Sequence, residues 1–125
     1  MDFIATNDAP QAIGPYSQAI KVNGLVYTSG QIALDPATGN LVDGSFEEQV
    51  HRVFRNLEAV LREAGSGFEQ VIKATVYLTD LANFQVLNAI YAEYFGTHKP
   101  ARTTVGLSQL PRGAAVEIDL VAIAR

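Results

Sequence analysis

Cysteine is absent from the 125 residues. A disulfide framework, a Cys-ligated zinc, a thiolate nucleophile and a redox pair are excluded with it. Histidine is scarce, with only His51 and His98 present. Neither has a second histidine at ligand spacing, so no metal is expected. No stretch is long and charge-free enough to span a membrane. A basic excess is also missing: nine Lys and Arg face 13 Asp and Glu, for a net charge of −4. The cations are scattered, which argues against a nucleic-acid partner. No G-x-x-x-x-G-K-[ST] or G-x-G-x-x-G is present to cradle a nucleotide phosphate. Ser29 stands in Thr28-Ser29-Gly30 rather than in G-x-S-x-G, which leaves a triad hydrolase unsupported. The opening Met1-Asp2-Phe3 is acidic, and Pro10, Gly14 and Pro15 arrive before any apolar stretch could form. That does not read as a secretory signal, and a cytoplasmic protein is expected.

What remains is an ordinary globular composition, 48% hydrophobic and 18% charged. The length predicts a single domain over residues 1–125. A chain of this size buries roughly two-thirds of its unfolded surface, enough to fold without staples. Asn23-Gly24 separates two β-rich runs, Tyr16 to Val22 and Leu25 to Gln31. Both turn residues tolerate positive φ, so a type I′ hairpin is predicted. Ser45 and Glu48 have capping-box spacing. Phe46, Val50, Val53, Phe54, Leu57, Val60, Leu61 and Ala64 then recur at steps of three and four, the period of a helix, and Gly65 ends it. Val71 to Leu78 reads as a strand. Phe84, Leu87, Tyr91, Tyr94 and Phe95 mark a second helix, capped near Thr79-Asp80 and closed by Gly96. A strand from Arg102 to Leu107, a turn at Leu110-Pro111-Arg112-Gly113 and a last strand from Ala115 to Ala124 complete the chain.

The order is β-β-α-β-α-β-β, with a further short strand near residues 3 to 5. The fold class is α+β, a mixed sheet with parallel pairings from the two strand-helix-strand crossovers. Two helices cover one face of such a sheet. Thr75, Tyr77, Val121 and Ile123 fall on the other, which predicts a homo-oligomer with that face covered by a partner.

Four residues break the local pattern. Asn88 interrupts the apolar stripe of the second helix and is either a core amide bonded to backbone or a ligand contact. Glu117 sits opposite Val116, Ile118 and Leu120, as an edge charge, a salt-bridge partner or a desolvated carboxyl of raised pKa. Arg102 opens a strand, where its planar fork suits a carboxylate, either a ligand's or that of Asp119. Tyr16 follows the stiff Gly14-Pro15 and is a core residue or a site hydroxyl. Both histidines read as solvated surface residues.

Gly14-Pro15-Tyr16-Ser17-Gln18-Ala19, Thr28-Ser29-Gly30-Gln31, Asn88-Ala89-Ile90-Tyr91 and Pro100-Ala101-Arg102-Thr103 resemble segments of the Rid family, the reactive intermediate deaminases. Leu110-Pro111 followed by Val116-Glu117-Ile118 does so too. The resemblance runs through the chain in the family's order. It implies a chorismate-mutase-like fold and a homotrimer with sites between subunits. It also implies cofactor-free hydrolysis of small 2-imino acids, 2-iminobutanoate and 2-iminopropanoate, to 2-keto acids and ammonia. By resemblance, Arg102 grips the substrate carboxylate and Glu117 positions water. Tyr16, Ser29, Gly30, Asn88 and Thr104 shape the cleft. Many deaminase members carry Cys where Thr104 stands, so that position departs from the pattern.

The residues are chemically coherent with this reading. A small imino acid has one carboxylate for a bidentate cation and one electrophilic carbon for a positioned water. The competing expectation is a non-catalytic module that binds a small carboxylate in the same cleft.

Overall fold

Asn23 and Gly24 both take left-handed backbone, at φ 52° and 77°, as a type I′ turn demands. In the computed structural model, which describes residues 1–124, they join β2 (Ala19–Val22) to β3 (Leu25–Thr28). A short β1 (Asp2–Ile4) pairs with β2. The remaining elements are α1 (Phe46–Glu63), β4 (Val71–Leu78), α2 (Phe84–Phe95), β5 (Ala101–Gly106) and β6 (Val116–Ile123). Single 3-10 turns at Phe68–Gln70, Leu81–Asn83 and Pro111–Gly113 link them.

The capping box forms as predicted: Ser45 accepts the Glu48 N–H at 3.2 Å, and Glu48 accepts the Ser45 N–H at 3.4 Å. The helix closes in a Schellman pattern. Gly65 takes φ 80°, Ser66 N–H donates to the Leu61 carbonyl at 2.8 Å, and Gly65 N–H donates to that of Arg62 at 3.0 Å. Asp80 caps the turn that leads into α2 by accepting the Ala82 N–H at 2.9 Å.

The sheet runs β1-β2-β3-β6-β4-β5. Among the described residues only β4 and β5 pair in parallel; the other neighbours are antiparallel. The first crossover therefore yields no adjacent parallel pair, contrary to expectation. The last strand, β6, inserts between β3 and β4 and separates them. The hairpin strands are also shorter than predicted. Beyond the Ser29 N–H, which donates to the Gln18 carbonyl at 2.9 Å, Gln31 leaves its partner and bridges to Ile118 instead.

Both helices lie on one face. Val26, Ala74, Val76, Leu78, Val116, Ile118, Leu120 and Ala122 point toward them and are buried. Phe54 centres the helix layer, stacked on Tyr94 at 4.6 Å and edge-on to Phe68, Tyr91 and Phe95. Both histidines join this packing, which corrects the surface reading. His51 Nδ1 meets the Tyr94 hydroxyl at 2.7 Å because α1 packs on α2. His98 Nε2 meets the Val71 carbonyl at 2.6 Å, beside an irregularity in the β4–β6 register.

Candidate active site

The other face carries Glu117. Its strand is central, so the edge-charge reading falls. Tyr77 pairs with Glu117 in register and shares its face, away from the helices. Burial raises the Glu117 pKa above the ordinary glutamate range, and the charge of Asp119 adds to the shift. Asp119 is raised too, chiefly by burial, while hydrogen bonds from Tyr77 (3.0 Å) and Thr75 oppose the shift. Burial and the Asp119 contact raise Tyr77 in turn.

Gly30 lies against the Glu117 carboxyl. A Cβ at that position would stand 2.5 Å from Oε2 and 2.8 Å from Cδ. The missing side chain is therefore what lets the carboxyl lie there. Tyr16, Gly30, Gln31, Ile32, Arg112 and Glu117 line a cavity of about 550 Å³. Tyr16 reaches it as an exposed ring, so its core reading falls. The Tyr16 N–H donates back to the Gly14 carbonyl at 3.0 Å, and Gly14 takes φ 126°, where glycine is favoured. The Ser29 hydroxyl donates to the Ser17 carbonyl at 2.5 Å and ties this segment to β3.

Gln18 completes the construction. It is buried, donates to the carbonyls of Pro10 (2.7 Å) and Thr6 (3.1 Å), and accepts the Thr6 N–H at 2.7 Å. It clamps the leader that forms the cavity wall. Sequence reasoning did not single it out. Its signal was an amide among β-forming residues, whose partners lie eight or more positions away.

Arg102 and Thr104 sit elsewhere. They pair with Ala74 and Val76, so they point to the helix side at the β5 edge of the sheet. The Arg102 guanidinium lies over the rings of Tyr91, at 4.8 Å, and Phe84, at 5.4 Å. Asp119 is on the opposite face with Tyr77, so the suggested Arg102–Asp119 pair does not form. Asn88 is half-buried, and among the described residues its Oδ1 has no hydrogen-bond partner. The reading of Asn88 as a core amide satisfied by backbone therefore fails. Among the same residues, Tyr91 OH and Thr104 Oγ1 are likewise buried and unpartnered. Beside them, Tyr91, Phe95, His98, Lys99, Pro100 and Arg102 line a second cavity of about 410 Å³.

The candidate residues thus form two groups. Tyr16, Ser29, Gly30 and Glu117 surround or support one cavity, while Asn88, Arg102 and Thr104 gather on the seam between α2 and β5. Glu117 and Arg102 are two strands apart, about 10 Å across the sheet, three residues apart along it, and on opposite faces. One small molecule cannot touch both within a single chain. The first group offers a desolvated carboxyl able to exchange a proton. The second offers a cation that no carboxylate among the described residues neutralises.

Known proteins share this fold and much of this sequence. Residues 6–124 match the family model described as Endoribonuclease L-PSP. A RutC family protein of Aquifex aeolicus is 51% identical over 125 residues, covering 98% of this chain and 99% of the relative. The Reactive Intermediate Deaminase A of Arabidopsis thaliana chloroplasts is 44% identical over 121 residues, covering 97% of this chain and 65% of that protein. The solved structure of YyfA from Yersinia pestis, described as a Rid family protein of unknown function, is 48% identical with a TM-score of 0.96 over 98% of each chain. Match, identity and fold agree: the chain belongs to the L-PSP endoribonuclease family, which takes in the RutC family proteins and the Rid family of reactive intermediate deaminases.

Proposed function

We propose that the protein is a cofactor-free deaminase that hydrolyses 2-iminobutanoate and 2-iminopropanoate to the 2-keto acids and ammonia. The observation that carries this reading is that the chain holds two complementary groups, each free for a ligand. Glu117 is a desolvated carboxyl, and Arg102 is a cation held by rings with no carboxylate partner among the described residues. Membership in a family with a named reactive intermediate deaminase supports the same chemistry.

Each step uses one of these groups. Arg102 takes the substrate carboxylate in its planar fork. Water adds through oxygen to the C=N carbon while Glu117 accepts its proton. The protonated Glu117 returns that proton to nitrogen, giving the carbinolamine; it then accepts the carbinol O–H proton and relays it to nitrogen as the C–N bond breaks, so ammonia leaves and the oxygen becomes the carbonyl. The raised pKa of Glu117 suits a group that must both take and give a proton. Asn88 and Thr104 flank Arg102, while Tyr16, Ser29 and Gly30 shape the wall around Glu117. Thr104, where many deaminase members carry Cys, contributes a wall and not the reacting group.

Because Arg102 and Glu117 lie on opposite faces, the working site requires two copies of the chain. We propose a homotrimer, with Arg102 from one subunit facing Glu117 of the next across each cleft. The half-buried Thr75, Tyr77 and Val121 and the exposed Ile123 on the open face fit such a contact. The proposed setting is the cytoplasm, beside the pyridoxal-phosphate enzymes whose dehydrations release these imines. Among the described residues, no helix is long and apolar enough to cross a membrane.

A coupled assay tests the activity. An amino-acid oxidase generates the imine, and keto-acid release is measured with and without the protein. Acceleration that disappears in Arg102→Ala and Glu117→Ala supports the deaminase. Binding of 2-ketobutyrate without acceleration would replace it with the carboxylate-binding module.

A further inference from the structure

Arg102 is held by rings. Its Cζ is 4.8 Å from the centre of Tyr91 and 5.4 Å from that of Phe84. Those residues are seven apart on one face of α2, about two helical turns. Tyr91 is itself fixed, against Phe95 at 4.4 Å and edge-on to Phe54 at 6.0 Å. The clip is thus anchored in the aromatic core of the helix layer.

This way of holding a cation has a chemical consequence. A carboxylate that anchored Arg102 would occupy its N–H donors and compete with an anionic ligand. An aromatic face attracts the charge through its quadrupole and takes no place at the donor edge. Arg102 therefore keeps its fork for an incoming carboxylate while losing rotational freedom beforehand. The Tyr91 hydroxyl is buried and makes no hydrogen bond among the described residues, so Arg102 is met by the ring and not by a hydrogen bond from the phenol.

We infer that Tyr91, seconded by Phe84, is the positioning residue of the carboxylate-binding half-site. Its ring holds the Arg102 guanidinium ready for the carboxylate of a small 2-imino or 2-keto acid. This inference rests on the role of Arg102 proposed above.

The test measures 2-ketobutyrate binding by calorimetry and imine turnover in parallel, on Tyr91→Phe, Tyr91→Leu, Phe84→Leu and Arg102→Ala. Tyr91→Phe keeps the ring and should bind like the native protein. Tyr91→Leu should bind about tenfold more weakly, with KM raised and kcat little changed. Phe84→Leu should fall between the two. It carries the test if thermal melting shows that Tyr91→Leu does not fold. Equal loss in Tyr91→Phe and Tyr91→Leu would overturn the inference, because the hydroxyl would then be the working part. Native-like binding in a folded Tyr91→Leu, or in Phe84→Leu standing in for it, would overturn it as well. If Arg102→Ala matches the native protein in both assays, the carboxylate role of Arg102 falls, and this inference falls with it.

Discussion

The two faces of the sheet are built from alternate residues of the same strands, yet they differ in kind. On the helix face, Val76, Leu78, Val116 and Ile118 are fully buried under α1 and α2. One chain completes that face. On the open face, Thr75, Tyr77, Glu117, Asp119 and Val121 are half-buried, with no helix above them among the described residues. Two carboxyls there carry raised pKa values. The first face carries stability. The second keeps desolvated polar groups at a surface, where a ligand or a second chain can reach them.

The sharpest way to break this contrast is to change Glu117. Glu117→Gln should lower imine turnover by about 10²–10⁴-fold, the usual contribution of a positioned acid–base group. It should also stabilise the fold at neutral pH. The folded pKa is raised, so above the ordinary glutamate range the folded state must hold a desolvated charge. Stability therefore falls as pH rises through that window. The melting-temperature advantage of Glu117→Gln should shrink on acidification and vanish below the ordinary glutamate range. A lower melting temperature at pH ~7 would refute the desolvation account.

Arg102→Ala comes next, with an expected loss of about 10²–10³-fold in kcat/KM from a lost charge-assisted fork. Circular dichroism should be unchanged, because Arg102 lies at an edge strand. On the covered face, Leu120→Ala should cost about 2–5 kcal/mol of unfolding free energy. Its neighbour Val121, on the open face, should cost less than about 1.5 kcal/mol as Val121→Ala in dilute protein. Denaturant melts of the two would give similar values if the faces were equivalent.

Gly30→Ala is gentler. Its Cβ would push the Glu117 carboxyl aside, and turnover should fall about 10–100-fold through misplacement, with little change in melting temperature. The smallest effect expected is from Asp119→Asn. Removing a neighbouring negative charge should lower the Glu117 pKa and move the acidic limb of the pH–rate profile downward. An unmoved limb would detach Asp119 from the site.

Much of this was legible in the sequence, for local reasons. The Asn23-Gly24 turn, the Ser45–Glu48 box and the alternation of Val116, Ile118 and Leu120 against Glu117 and Asp119 are short-range patterns. The face of Arg102 was not legible. Arg102-Thr103-Thr104-Val105-Gly106 has no apolar alternation, because an edge strand is covered on neither side by a full layer. The roles of Gln18, Asn56 and the histidines depend on distant partners. Asn56 donates to the Leu34 carbonyl at 2.9 Å across 22 positions, and His51 meets Tyr94 across 43. No window of sequence holds both members of such a pair. The candidate residues were named individually, but their division into two groups on opposite faces required the strand order, in which β6 inserts between β3 and β4.

That division is the centre of the account and can be tested directly. Arg102→Ala and Glu117→Ala proteins are each expected to be inactive toward the imine. Unfolded together and refolded as mixed assemblies, they should regain about a quarter of native turnover, the random share of interfaces that join two intact halves. A mixture that stays as inactive as its parents, although native protein treated the same way recovers, would contradict a site divided between chains.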